Sequence, residues 1–94
     1  MFTVIYNPLV MGDLEKLNAK DRSVVLKAIV KKLFTNPLEF GKPLQGDLKG
    51  YYRLRAGDYR IIYRVHKREV IVYIVQVGDR KDGNVYYEAS KRIL

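Results

Sequence analysis

Tyr51-Tyr52-Arg53-Leu54-Arg55-Ala56-Gly57-Asp58-Tyr59-Arg60-Ile61-Ile62-Tyr63-Arg64-Val65-His66 decides the fold of this 94-residue chain. Strand-favouring residues flank Gly57-Asp58, which suits a tight turn, so Tyr51 to Ala56 and Tyr59 to His66 are predicted to pair as a hairpin. Setting Arg55 opposite Arg60 puts Arg53 opposite Ile62 and sends Leu54, Ile61, Tyr63 and Val65 to the reverse face. Arg53, Arg55, Arg60 and Arg64 then share the other face. Like charges directly across from one another cost stability there unless something anionic or acidic neutralises them. Such a conflict with pure folding tends to mark function.

Working outward toward the C-terminus, Lys67-Arg68 forms a second turn and Glu69 to Val77 a third strand, giving an antiparallel meander. Gly78-Asp79-Arg80-Lys81-Asp82-Gly83-Asn84 follows as a polar turn. The segment from Val85 to Leu94 suits about two helical turns, with Tyr86, Ala89 and Ile93 on one side.

Toward the N-terminus, Thr3 to Tyr6 reads as a short strand, and Asn7-Pro8 as a cap with proline in the first helical turn. Val10, Leu14 and Leu17 mark the apolar side of that helix, with Asp13, Glu15 and Lys16 on the other face. Asn18 caps a second helix, with Asp21 at the capping-box position. Its stripe is Val25, Ile29 and Leu33, and it runs to about Thr35, so the two helices form a hairpin. Asn36-Pro37 ends the helix, and Pro37 to Gly50 is loop-like. The expected class is α+β: an N-terminal strand and helical hairpin packed on an antiparallel sheet, with a short C-terminal helix. One domain is expected over residues 1–94.

Composition narrows the function. There is no cysteine, which removes disulfides and cysteine-based zinc or redox chemistry. No apolar run approaches the ~20 residues that span a bilayer, and the N-terminus has no signal-peptide pattern, so a cytoplasmic location without membrane association is expected. The formal charge is +8. Met1 to Leu48 carries seven basic and five acidic residues, whereas Lys49 to Leu94 carries eleven and five, so the second half is the anion-facing part. Phosphate-binding glycine loops are absent. The single histidine, His66, reads as a strand-end surface residue, and neither a metal site nor a small-molecule cofactor is indicated.

Arginine and tyrosine remain, and they suit one reaction. Attack of an RNA 2′-OH on its neighbouring phosphate requires correct geometry and stabilisation of the charge building on the phosphorane. Guanidinium donors match phosphate oxygens in pairs. Tyrosine can stack on a splayed base or exchange a proton. Tyr51, Tyr52, Tyr59, Tyr63 and Tyr73 are each read as half-buried strand tyrosines. Tyr86, between the cationic turn and the terminal helix, is set apart from them.

In order along the chain, the hairpin helices, Leu44-Gln45-Gly46-Asp47-Leu48, Tyr52 to Tyr63, Val77-Gly78-Asp79-Arg80-Lys81-Asp82, Val85-Tyr86 and Glu88 to Leu94 resemble the RelE/ParE toxins of type II toxin–antitoxin pairs, and the RelE branch in particular. The resemblance implies a RelE-like fold and a toxin that cuts mRNA in the ribosomal A site, masked by an acidic RelB-like antitoxin. Carried over, it implies that Arg60 and Arg80 stabilise the phosphorane, that Arg53 and Arg55 orient the phosphate, and that Tyr86 stacks or transfers a proton. Lys49, Arg64 and Lys81 are added as RNA-binding residues. The best-known branch carries lysine where Arg53 and Arg55 stand, and arginine stays protonated at any workable pH. Either the proton acceptor passes to Tyr86, Lys49 or Lys81, or the enzyme relies more heavily on electrostatics and is slower. Asp79 stands where many relatives carry histidine. The alternatives are a ParE-like DNA gyrase inhibitor without nuclease activity and an RNA-binding module without chemistry.

Overall fold

A computed structural model describes residues 1–81 and 84–93. Asp82, Gly83 and Leu94, placed by the sequence reading in the polar turn and at the end of the terminal segment, lie outside the described residues. The elements are β1 (Thr3–Tyr6), α1 (Val10–Glu15), α2 (Ala19–Ala28, continued by a π-helical turn over Ile29–Leu33), α3 (Pro37–Phe40), β2 (Lys42–Pro43), a 3-10 turn at Gly46–Leu48, β3 (Tyr52–Ala56), β4 (Tyr59–His66), β5 (Ile71–Asp79) and α4 (Val85–Arg92). They build an α+β fold on a five-stranded sheet of order β1-β5-β4-β3-β2. The central hairpin has the predicted register, with Arg55 opposite Arg60 and Arg53 opposite Ile62.

Asn18 caps α2 as expected, whereas α1 starts at Val10 behind Leu9, so Asn7 and Pro8 lie in the turn before it and not in its cap and first turn. Asn7 Oδ1 accepts from the Leu9 N–H at 2.9 Å, and Asn18 Oδ1 accepts from the Asp21 N–H at 2.8 Å. The π-helical turn replaces the last α-helical turns of the predicted second helix. Its effect is geometric. A four-residue step in an α-helix over-rotates by about 40°, and the wider turn takes that back, keeping Val25, Ile29 and Leu33 on one line. All three are fully enclosed. With Val10, Leu14 and Leu17 they cover the face of the sheet formed by Leu54, Ile61, Tyr63, Val72, Ile74 and Val77.

Four further expectations are corrected. First, β1 runs parallel to β5, whereas every other pairing is antiparallel, so the sheet is mixed. Second, the third sheet strand starts at Ile71 because Val70 has φ 57°, which places Val70 in the turn with its N–H on the Lys67 carbonyl. That strand then continues through Gly78 and Asp79, which the sequence reading placed in a turn, because they pair with Arg60 and Tyr59 at the start of β4. Third, the loop from Pro37 to Gly50 contains α3, opened by Pro37, and the edge strand β2. Fourth, Asp13 does not face solvent: it is 6% exposed and accepts from the Val77 N–H at 3.0 Å.

Close packing fixes two glycines. The Tyr63 hydroxyl donates to the Pro37 carbonyl and fills the space a side chain at Gly41 would need. A Cβ on Gly78 would lie 2.5 Å from Val85 Cγ2, so α4 can sit on β5 only because position 78 is bare.

Candidate active site on the arginine face

The second face of the sheet carries its own, smaller apolar cluster. Leu48, Ile62, Val75, Val85 and Ala89 form it, with Leu44, Tyr51, Tyr73, Tyr86 and Ile93 packed around them. A bulge between β4 and β5 shapes this floor. Ile62 pairs with Gln76 and Tyr63 with Ile74, leaving Val75 unopposed. Val75 and Gln76 both reach this face: Val75 enters the cluster, and Gln76 Nε2 donates to Glu88 Oε2 of α4 at 3.0 Å.

Arginines ring this floor. Arg60 is half-buried on β4, its guanidinium carbon 5.8 Å from the centroid of the Tyr86 ring in the first turn of α4. Its Nε is buried and has no hydrogen-bond partner among the described residues. Arg55 lies directly across from Arg60 and is exposed. Arg53, half-buried, stands two residues back on β3, about 7 Å along the strand. Lys42 on β2 pairs with Arg53 in register, adding another cation. Arg64, further along β4, lies over the Tyr51 ring at 5.6 Å.

The remaining predicted residues sit around the rim. Lys49 is exposed just after the 3-10 turn. Arg80 is exposed beyond β5, and its backbone N–H donates to the Asp58 carbonyl at 2.8 Å, tying it to the β3–β4 turn beside Arg55 and Arg60. Lys81 is exposed, with its N–H on Asp79 Oδ1 at 2.8 Å. Asp79 is therefore occupied as a turn acceptor. Tyr86 also lines a small recess of about 230 Å³ with Gln45, Asp47, Leu48, Tyr87 and Ser90. The structure thus brings Arg60, Arg55 and Tyr86 together directly, with Arg53 alongside. No side-chain hydrogen bond, ion pair or cation–ring contact joins Arg80 or Lys81 to them among the described residues.

The other tyrosines divide as their faces require. Tyr52 stacks on Tyr63 at 5.8 Å on the helix-covered side. Tyr59 donates to Asp21 Oδ2 at 2.9 Å, and that hydrogen bond, burial and the charges of Asp21, Asp79 and Asp58 hold its pKa above the usual phenol value. His66 is exposed at the end of β4. No group of three or more His or carboxylate side chains is placed to hold a metal ion among the described residues. No helix there is long and apolar enough to cross a membrane.

Sequence reasoning missed Gln76 and the Asp13–Arg92 pair. Gln76 had a signal: it is the one amide in the otherwise apolar and aromatic run from Ile71 to Val77. It is 2% exposed, and its Oε1 has no partner among the described residues.

A guanidinium seated on an aromatic ring, among further arginines on a sheet face half-covered by a short helix, is an arrangement chemically suited to pairing with phosphate oxygens and to stacking a base. Comparison with known proteins gives the family. Residues 4–83 match the profile described as "ParE toxin of type II toxin-antitoxin system". The chain is 33% identical over 81 residues to Toxin RelG of Mycobacterium tuberculosis, covering 86% of this chain and 93% of that one. It is 38% identical over 80 residues to the mRNA interferase toxin RelE of Escherichia coli, covering 84% and 83%. Its fold matches the RelBE2 toxin–antitoxin complex of M. tuberculosis with a TM-score of 0.80 at 33% identity, over 86% of this chain and 93% of that one. The isolated E. coli RelE toxin matches with a TM-score of 0.69 at 29% identity over the whole of both chains. This protein belongs to the RelE/ParE toxin family of type II toxin–antitoxin systems.

Proposed function

We propose that this toxin is a ribosome-dependent mRNA endonuclease that cuts by 2′-OH attack at the A-site codon. The observation that carries this reading is the Arg60–Tyr86 pair: a half-buried guanidinium with an unengaged Nε, held on a ring at the mouth of an arginine face. An incoming phosphate would supply the missing acceptor, and Arg55 and Arg53 would orient it from the neighbouring strand. In the step itself the 2′-oxygen bonds to phosphorus as the bond to the 5′-oxygen breaks. The 2′-OH gives up its proton and the departing 5′-oxygen takes one. Arg60 and Arg80 stabilise the charge on the phosphorane, and Tyr86 stacks on the nucleotide or moves a proton. Lys49 and Lys81 are the other groups able to accept one. Arg64 and the rim lysines extend the grip on RNA by charge alone.

The E. coli relative is named an mRNA interferase, which supports the same reading. Solved relatives include RelE toxins in complex with RelB antitoxins, and an acidic antitoxin is the proposed partner here. A groove of about 490 Å³ along α2 suits an acidic amphipathic helix, since Leu26 and Val30 line it between Arg22, Lys27 and Lys31. A second reading, inhibition of DNA gyrase, draws on the match to the ParE profile.

The test is mRNA cleavage in a purified translation system, with and without ribosomes. Arg60→Ala is expected to slow A-site cleavage by about 10²–10³-fold, and Tyr86→Phe together with Arg80→Ala should abolish it. If mRNA stays intact under wild-type protein that still arrests growth, the nuclease reading fails and a supercoiling assay decides for gyrase.

A further inference from the structure

Beyond Tyr6 the outer edge of β5 loses its strand neighbour, the last backbone bond being Asn7 N–H to the Ile74 carbonyl at 2.8 Å. Two side chains take over where the strand stops. Asp13 of α1 accepts from the Val77 N–H at 3.0 Å, and Arg92 of α4 donates through Nη1 to the Val75 carbonyl at 2.9 Å. They also bind each other at both ends, Nη1 to Oδ2 at 2.7 Å and Nη2 to Oδ1 at 2.8 Å. Asp13 is 6% exposed and Arg92 14%. A buried ion pair stabilises only when its remaining donors and acceptors are satisfied, and backbone groups of β5 meet that condition here. The pair therefore reaches around the sheet edge and joins a helix on the apolar face to the helix that carries Tyr86.

We infer that Asp13 and Arg92 are positioning residues for Tyr86, clamping α4 in the one rotation that holds its ring under Arg60. This rests on the reading of Arg60 and Tyr86 as the working pair of the site. An eight-residue helix is too short to hold itself in water. Val85, Ala89 and Arg92 fall at helical spacing on one stripe, facing the sheet, while Tyr86 lies on the flank about 100° round from Val85. Val85 and Ala89 make only apolar contacts, which permit rolling. Arg92 is the charged directional anchor at the C-terminal end of α4, beyond the Gln76–Glu88 hydrogen bond nearer its middle, and a roll about the helix axis moves the far end of the long Tyr86 side chain more than atoms close to the axis. Near-attack geometry is intolerant of such movement: a displacement of about 1 Å costs about 10²-fold in rate.

The experiment reads Arg60 by the NMR resonance of its Nε–Hε group, which the current of the Tyr86 ring shifts. Tyr86→Leu calibrates the size of that shift. Arg92→Gln should move the Arg60 resonance in the same direction as Tyr86→Leu, speed amide exchange along α4, and leave β3 and β4 amides protected. Arg92→Lys, which keeps the charge but not the two-pronged contact, should fall between, and it carries the test if the glutamine variant fails to fold. In ribosomal cleavage, Arg92→Gln should lower kcat by about 10²-fold with KM little changed. An Arg60 resonance at its wild-type position in both variants overturns the proposal, whatever the cleavage rate does. Should wild-type protein fail to cleave mRNA, the nuclease reading falls alone, because the resonance still decides whether the clamp positions Tyr86.

Discussion

On the helix-covered face of the sheet, Ile61, Tyr63, Val72 and Ile74 are sealed under α1 and α2 with no charged group among them. On the other face, Ile62 and Val75 are equally enclosed, yet the ring around them is Arg53, Arg55, Arg60 and Arg64 with one short helix as cover. The same three strands supply both. The difference teaches that apolar burial on the first face sets stability, which lets the second face hold like charges that would otherwise open the hairpin. The bulge at Val75 sharpens the division by turning Gln76 to the arginine side while Val77 stays on the apolar one.

The sharpest way to break this division is to damage the first face alone. Leu33→Ala should cost about 2–5 kcal/mol in urea unfolding, with the cleavage rate per folded molecule unchanged. A rate that falls faster than the folded fraction would mean the faces are mechanically joined beyond the Asp13–Arg92 clamp. Gly78→Ala works in the opposite sense. Its methyl meets Val85 and pushes α4 off β5, so a stability loss of about 1–3 kcal/mol should come with a cleavage defect larger than unfolding explains.

Tyr63→Phe gives the smallest effect, about 1 kcal/mol at neutral pH, from the lost hydrogen bond to the Pro37 carbonyl. It also has a pH signature. Burial, then the neighbouring Tyr52, raises the Tyr63 pKa above the ordinary phenol value. The folded state then holds the proton more tightly than the unfolded chain, so stability present below about pH 10 drains away as pH rises toward the folded value. Urea titrations between neutral pH and pH 11 should show that alkaline decline in the wild type and a shallower one in Tyr63→Phe. Equal slopes would place the titration elsewhere.

Much of the fold was legible because its signals are local. Gly57-Asp58 fixed the hairpin register, Asn18 fixed the start of α2, and the spacing of Val25, Ile29 and Leu33 fixed a buried stripe. What escaped depends on distant partners. The parallel pairing of β1 with β5 joins chain ends with no shared pattern, and the true end of β5 is set by its pairing with the start of β4. Asp13 was assigned to solvent because a carboxylate on an amphipathic helix ordinarily is, and only Arg92, 79 residues away, reverses that. At the site, the gathering of Arg53, Arg55 and Arg60 on one face followed from strand alternation. The seat of Arg60 on Tyr86 did not, since it depends on how α4 packs across the sheet.

Lys42 and Pro43 close the opposite edge of the sheet in a way that matters for the protein at high concentration. The inward-facing Leu44 N–H bonds the Tyr51 carbonyl, so by alternation Pro43 presents its ring nitrogen outward, where an ordinary residue would offer an amide hydrogen. A second chain arriving at this border finds a two-residue strand, a cation and no donor to begin a ladder. The lysine's part in that protection weakens with salt, whereas the missing amide hydrogen of Pro43 is covalent and keeps its effect at any ionic strength.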